Sequence, residues 1–103
     1  MVLRTTDPNE IDFRSKFDLS GKWIVITGAC GLIGKAFCEA VAQFGASVVV
    51  TDIEAFESEK FANDLSIRHK RKMIGLSVDV SNKESVKQLL NKILKKTNRI
   101  DGL

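Results

Sequence analysis

Tyrosine is absent from this 103-residue sequence, and histidine, proline and tryptophan each occur only once. Without tyrosine, no phenol is available to act as a general acid or base. The single histidine, His69, leaves no second imidazole for a metal site. We therefore expect no metal centre, and we predict that His69 is a surface side chain.

Cysteine is also scarce, since Cys30 and Cys38 are the only two. Their spacing matches neither a Cys-x-x-Cys redox pair nor a set of zinc ligands, and it predicts two free thiols. The first residues include Arg4, Asp7 and Glu10, where a secretory signal would be apolar, and no apolar run is long enough to span a bilayer. These features predict a cytoplasmic protein with no membrane segment.

Charge of either sign is spread along the chain. Sixteen basic residues oppose 13 acidic ones, which gives a net charge of +3. The densest basic stretch, 68–72, could contact the phosphates of a nucleic acid or form a solvated turn after a helix whose carboxyl end favours cations. We favour the turn, and the weak overall charge predicts no nucleic-acid partner.

The composition, with 44% hydrophobic and 28% charged residues, is typical of one globular domain. A polar lead over residues 1–20 precedes a regular pattern over 21–103, so we expect an N-terminal arm followed by the domain. In the arm, Asp7 could cap a short helix that places Phe13 and Phe17 on one face. Such an arm would cover its own domain or contact a second subunit.

The domain begins with a strand, a helix and a second strand. Residues 23–27 are apolar and β-branched, as in a parallel strand that is buried on both faces. Gly45 is placed to end the helix with a left-handed cap, and residues 47–52 predict the second strand. The apolar positions of the helix recur at threes and fours, at Ile33, Phe37, Ala40, Val41 and Phe44.

The same alternation continues to the last residue. Residues 54–68 predict a second helix and 73–80 a third strand. Ser81, with Glu84 three residues later, predicts a capping box at the start of a third helix. Residues 100–103 are typical of the opening of a fourth strand.

This order predicts an α/β protein built as a Rossmann-type doubly wound parallel sheet in three layers, helix, sheet and helix. Only the N-terminal half of such a domain is present, βαβαβα with the start of a fourth strand.

Three glycines at even spacing, Gly28, Gly31 and Gly34, follow the first strand directly. In open parallel sheets, ligands bind beyond the carboxyl ends of the strands, where this turn lies. Glycines allow positive φ and let a phosphate approach the backbone, while the next helix presents unpaired N–H groups to it. The alternative is a tight turn that needs glycine for steric reasons alone.

Asp52 strengthens the dinucleotide interpretation, because it ends the second strand 24 residues after Gly28. A carboxylate at this place can accept hydrogen bonds from both ribose hydroxyls and repel a 2′-phosphate. Ile53 follows it, so no adjacent arginine is available to pair with that phosphate, and Lys35 is the one nearby cation. We therefore predict NAD rather than NADP.

Two other phosphate-related sites fit the sequence poorly. A Walker A loop needs a glycine where this chain has Ala29 and a hydroxyl where it has Ala36, so Mg²⁺ would lack a ligand. A phosphorelay receiver needs an acidic cluster at the strand ends, but the first strand ends in Thr27 and Gly28.

Several further motifs occur in a fixed order. They are Leu19-Ser20-Gly21-Lys22, Ile26-Thr27-Gly28, Gly31, Ile33-Gly34, Gly45-Ala46, Val48-Val49, Asp52, Asp79-Val80 and Ile100-Asp101-Gly102-Leu103. In this combination, from about residue 18 to the last, the chain resembles the short-chain dehydrogenase/reductase family. The resemblance implies an NAD(P)-binding domain of an oxidoreductase that transfers hydride between the nicotinamide and an alcohol or carbonyl substrate.

The resemblance also implies roles for individual residues. Asp52 would bind the ribose, with Ile53 beside it, Asp79 would bind the adenine amino group, and Val80 would lie against the ring. Asp79 could instead be only a turn residue at a strand end. Thr27 would brace the turn. The pyrophosphate site would be formed by Gly28, Gly31, Leu32, Ile33 and Gly34.

One position departs from the short, single-domain members of the family, which usually have glycine or alanine where this chain has Leu32. The spacing of Gly28, Gly31 and Gly34 is more similar to that of the extended members that modify nucleotide sugars. The motifs at 19–22 and 79–80 are similar to the short type, which we favour, with the extended type as the alternative.

The resemblance implies a catalytic tyrosine with a lysine four residues later, and a serine, all beyond the fourth strand. We therefore assign no catalytic residue in this chain and expect it to be inactive alone, with a small-molecule substrate only in a full-length form. A first strand with one unpaired edge would recruit another chain, so we expect a homo-oligomer. The rival interpretation is a standalone nucleotide-binding module without chemistry.

Overall fold

A computed structural model describes residues 17–103, which form three strands and three helices in strict alternation. Predictions for the arm that concern residues 1–16 lie outside the described residues. The elements are β1 (Trp23–Ile26), α1 (Leu32–Gln43), β2 (Ser47–Asp52), α2 (Ala55–His69), β3 (Ile74–Ser77) and α3 (Lys83–Thr97).

The sheet is parallel, with β2 in the centre. Val49 of β2 is in register with Val25 of β1 on one side and with Ile74 of β3 on the other. On the far side of β1, Gly102 forms a parallel bridge with Ile24. The predicted βαβαβα order and the start of a fourth strand are thus confirmed, and the edge of β1 that was expected to be unpaired is partly covered.

Two apolar clusters on opposite faces of the sheet confirm the three layers. Alternate residues of β2 supply both clusters, because successive strand side chains point to opposite faces. Val48 and Val50 pack with Cys38 of α1 and Leu65 of α2. Val49 packs on the other face, and its partners are Val25, Ile74, Leu89 and Ile93. The sheet is therefore covered by α1 and α2 on one side and by α3 on the other.

The face of α1 that packs on the sheet differs from the apolar face in the sequence. Cys38 and Ala42 are buried, whereas Ile33 and Phe37 are 72% and 61% exposed. Small side chains are selected on the inner face because α1 lies close to the end of β1 at Gly34. Val41 of the predicted face does pack against the buried cluster, whereas Leu32, Ile33 and Phe37 form an exposed stripe near the start of the helix.

The start of α3 also differs from the prediction. The N-cap is Asn82, whose side-chain oxygen accepts the amides of Glu84 and Ser85 at 2.9 and 3.2 Å. Ser81 is engaged elsewhere, since its amide and hydroxyl both donate to Asp79. The predicted capping box at Ser81 is therefore wrong by one residue.

The basic stretch at the end of α2 is held by intramolecular bonds. Arg68 pairs with Glu39 of α1, and the His69 imidazole lies 2.7 Å from the same carboxylate. Arg71 donates to the carbonyl oxygens of Ala42 and Ala46. The His69 side chain is only 15% exposed, so the prediction of a surface side chain is wrong, because the residue clamps α2 to α1.

Within residues 17–103, no helix is long and apolar enough to cross a bilayer. Nor does this part of the chain bring together three His, Cys, Asp or Glu side chains that could hold a metal ion.

Candidate dinucleotide-binding site

The glycine turn joins the carboxyl end of β1 to the start of α1. Gly28 has φ of +62°, a conformation that residues with a Cβ rarely adopt. Gly31 is the N-cap of α1, and no side chain bonds to the cap position. The chain therefore reverses direction sharply and leaves the beginning of the helix open.

Gly34 is required because the helix approaches the turn closely. A Cβ atom at Gly34 would overlap the carbonyl oxygen of Gly28 and lie 2.8 Å from the Cα of Ala29. Both neighbouring atoms belong to the backbone, so they cannot move aside easily. This glycine fixes how closely α1 can lie to the end of β1.

The first turn of α1 offers free hydrogen-bond donors. Among residues 17–103, we find no acceptor for the amides of Leu32, Ile33 and Gly34, and the first turn contains no acidic residue. The Leu32 and Ile33 side chains are 91% and 72% exposed. Free amides at a helix amino terminus attract anions, and phosphate groups are typical ligands.

Asp52 lies directly against this turn. One of its carboxylate oxygens accepts the amide of Cys30 at 2.9 Å, and the other accepts the amide of Ile53 at 2.7 Å. Thr51, which is fully buried, donates its hydroxyl to the Ile26 carbonyl at 2.8 Å and holds the ends of β1 and β2 together. The structure thus brings the carboxylate and the glycine turn together.

Thr51 rather than Thr27 braces the turn. The amide of Ala29 also donates to the Thr51 carbonyl at 3.0 Å. In the described part of the chain, the Thr27 hydroxyl makes no hydrogen bond. The role that the resemblance implied for Thr27 therefore belongs to Thr51, and the contribution of the Cys30 amide was missed because backbone donors leave no signal in side-chain patterns.

Asp79 follows β3 and forms a local turn. One of its oxygens accepts both the amide and the hydroxyl of Ser81, at 3.0 and 2.6 Å, and these bonds lower the pKa of the Asp79 carboxyl. Val80 is exposed, as is Ile53 after β2. The amide of Val78 donates to the Asp52 carbonyl at 2.9 Å, which places these residues at the ends of adjacent strands.

Neither thiol is activated. Burial raises the pKa of Cys30, and burial raises that of Cys38 to about 12. Both cysteines are free, as predicted. Since the thiolate is the nucleophilic form, burial disfavours nucleophilic chemistry at both residues.

A family model described as short chain dehydrogenase matches residues 22–103, which include every element of this site. The chain belongs to that family. An NAD-dependent glycerol dehydrogenase from Listeria innocua is 32% identical over 91 residues, a match that covers 88% of this chain and 34% of the relative.

Solved structures of short-chain dehydrogenases have the same fold. A hydroxysteroid dehydrogenase from Escherichia coli superposes with a TM-score of 0.77 at 29% identity, and the match covers 84% of this chain and 37% of the other. A family member from Burkholderia phymatum in complex with NAD superposes with a TM-score of 0.73 at 31% identity, covering 82% and 30%. This short-chain dehydrogenase sequence thus spans about a third of the length of these relatives.

Proposed function

We propose that this chain binds the adenosine and pyrophosphate part of NAD(H) within a short-chain oxidoreductase. The observation that carries the proposal is the position of the Asp52 carboxylate, 2.9 Å from the Cys30 amide in the glycine turn. A dinucleotide needs a phosphate cradle and a ribose acceptor side by side, and the fold family uses this pair. The solved relative in complex with NAD supports the same ligand class.

Each part of the ligand has a matching group in the chain. The free amides of Leu32, Ile33 and Gly34 would bind the pyrophosphate, with Gly28 and Gly31 allowing close approach. Asp52 would accept the ribose hydroxyls with its remaining lone pairs. Ile53 and Val80 would flank the adenine, and Asp79 would accept from its amino group.

The preference for NAD over NADP follows from charge. A 2′-phosphate would lie next to the Asp52 carboxylate and be repelled by it, whereas two hydroxyls can donate to it. The relative from Listeria innocua, named as NAD-dependent, supports this preference.

When bound, NAD supplies a hydride acceptor or donor. In a full-length form we expect transfer between the nicotinamide and an alcohol or carbonyl carbon, of the short rather than the extended type. The 103 residues alone hold no tyrosine to move the accompanying proton. We also expect a homo-oligomer, and a reducing cytoplasm suits the two free thiols.

The proposal is tested at Gly31 by calorimetric titration with NAD. In Gly31→Asp, the new carboxylate would face the pyrophosphate, and we expect binding to be lost. Gly31→Asn is the matched control, because asparagine caps a helix as well as aspartate does but carries no charge. The backbone of Gly31, with φ of −74°, accepts either residue.

We expect Gly31→Asn to bind NAD more tightly than Gly31→Asp by at least about tenfold, the range of a charge repulsion of about 1.4 kcal/mol. Equal NAD affinity in the wild type and in Gly31→Asp would show that the turn is not the phosphate site. Tighter binding of NADP than of NAD by the wild type would overturn the cofactor preference alone.

A further inference from the structure

One cation beside the glycine turn has an aromatic partner on α2. Lys35, in the first turn of α1, places its ammonium 5.4 Å from the centre of the Phe61 ring on α2. This distance is within the range of a cation–π interaction. In the described part of the chain, Lys35 has no ion-pair partner within 4 Å, so the ring is its specific contact.

The contact lies in a cleft of about 350 Å³ between α1 and α2. Two carboxylates, Glu57 and Asp64, line this cleft with Phe61 and with two ammonium groups, those of Lys35 and Lys60. The carboxylates are matched in number by the lysines, so the ring face is the specific attraction for the Lys35 ammonium. Phe61 itself packs on the apolar cluster beneath α1 and α2, which gives the ring a fixed position.

Lys35 also lies next to the glycine turn, since its amide donates to the Gly31 carbonyl at 2.9 Å. In the same turn, the Cys30 amide donates to the Asp52 carboxylate at 2.9 Å. A lysine side chain is long and flexible, so its ammonium can move several ångströms without moving the helix. If it moved towards the ribose, it would offset the negative charge that disfavours a 2′-phosphate.

We infer that Phe61 is a specificity-determining positioning residue for the dinucleotide. It holds the Lys35 ammonium in the cleft between α1 and α2, so that the ribose position keeps the uncompensated charge of Asp52 and NAD is bound in preference to NADP. This inference rests on the proposed function and concerns only the discrimination between two cofactors that differ by the 2′-phosphate.

The experiment measures the ratio of the dissociation constants for NADP and NAD by calorimetry. Phe61→Leu removes the ring face and retains an apolar side chain, and we expect it to lower the ratio about two- to fivefold, the range of an exposed cation–π contact. Phe56→Leu is the matched control, since Phe56 lies on the same helix, is exposed and does not line the cleft. Its ratio should equal that of the wild type.

A double-mutant cycle with Lys35→Gln identifies the mechanism. Lys35→Gln alone should change the ratio less than about twofold, because the ammonium is already withdrawn, and adding Phe61→Leu to it should have no further effect. Phe61→Met, which fills a similar volume without a ring, replaces the leucine variant if that variant does not fold.

Two results overturn the inference while leaving the proposed function intact. One is a ratio in Phe61→Leu equal to that in Phe56→Leu, with NAD still bound. The other is an effect of Phe61→Leu that persists without Lys35. If the wild type binds neither nucleotide, the proposed function is wrong and the inference falls with it.

Discussion

Gly34 and Asp52 illustrate how single residues build the candidate site. Gly34 lets α1 approach the end of β1, and this approach aims the free amides of the helix beyond the sheet edge. Asp52 then accepts the Cys30 amide, which joins the end of β2 to the turn. The candidate site thus consists of backbone donors, whose positions depend on the absence of a Cβ at Gly34 and on the carboxylate of Asp52.

Gly34→Ala tests the close approach. Replacing glycine by alanine within a helix normally raises the free energy of unfolding by as much as about 1 kcal/mol. Here the Cβ overlaps the backbone of Gly28, so we expect the free energy of unfolding to fall by about 1–3 kcal/mol. The melting temperature should fall by at least about 4 °C for a domain of this size.

Gly31→Ala is the control for this change, because its Cβ would meet the Gly28 oxygen at an ordinary contact of 3.4 Å. It should lose less stability than Gly34→Ala. A melting temperature for Gly34→Ala at or above the wild-type value would contradict the close packing.

At the scale of elements, the residue that caps α3 differs between the sequence prediction, Ser81, and the structure, Asn82. Asn82→Ala removes the side chain that accepts two amides of the first turn, and we expect a loss of about 1 kcal/mol. Asn82→Asp should restore the cap. Ser81→Ala leaves the cap intact and should lower the melting temperature less than Asn82→Ala does. A lower melting temperature for Ser81→Ala than for Asn82→Ala would instead support Ser81 as the cap.

The clamp between α1 and α2 is a second feature of this scale. Glu39 lies between His69 and Arg68, and the hydrogen bond to His69, followed by the contribution of Arg68, lowers the pKa of the Glu39 carboxyl from 4.5. A carboxyl whose pKa is lower in the folded protein adds stability above its unfolded pKa. That stability is lost as the pH falls through the folded pKa.

Glu39→Gln should therefore lower the melting temperature near neutral pH, and the difference from the wild type should shrink as the pH falls below about 4.5. Glu59→Gln, an exposed change on α2, is the control, and its melting temperature should follow that of the wild type from neutral to acid pH. Melting curves of Glu39→Gln parallel to those of the wild type from neutral to acid pH would show that the clamp adds no pH-dependent stability.

At the scale of the whole molecule, the proposed binding residues share one edge of the sheet. The described sheet presents the turn, Asp52 and Asp79 at one edge, where a dinucleotide would lie. The sequence contains no tyrosine to donate or accept the proton that accompanies hydride transfer. Loss of a positioned acid/base group typically costs about 10²–10⁴-fold in rate.

We therefore expect the 103-residue chain to be stabilised against heat by NAD but to oxidise no NADH in the presence of simple aldehydes or ketones. A thermal melt with and without NAD measures the stabilisation, and the absorbance of the reduced nicotinamide measures the oxidation of NADH. NADH oxidation that disappears in Gly31→Asp would show that catalytic groups lie within these residues after all.

The sequence by itself determined the order of the elements, the parallel sheet and the glycine turn. These follow from local patterns: β-branched runs, helical spacing, and glycines placed directly after a strand. It also indicated Asp52 as the acid next to that turn, because strand ends of a parallel sheet meet at one edge.

Only the tertiary structure decided which face of α1 is buried, which residue caps α3, where His69 lies and where the Lys35 ammonium rests. Helical spacing proposes an apolar face, but the close approach at Gly34 selects the small side chains of Cys38 and Ala42 instead. His69 and Lys35 find partners on another helix, and contacts between residues 26 or more positions apart leave no pattern in the local sequence.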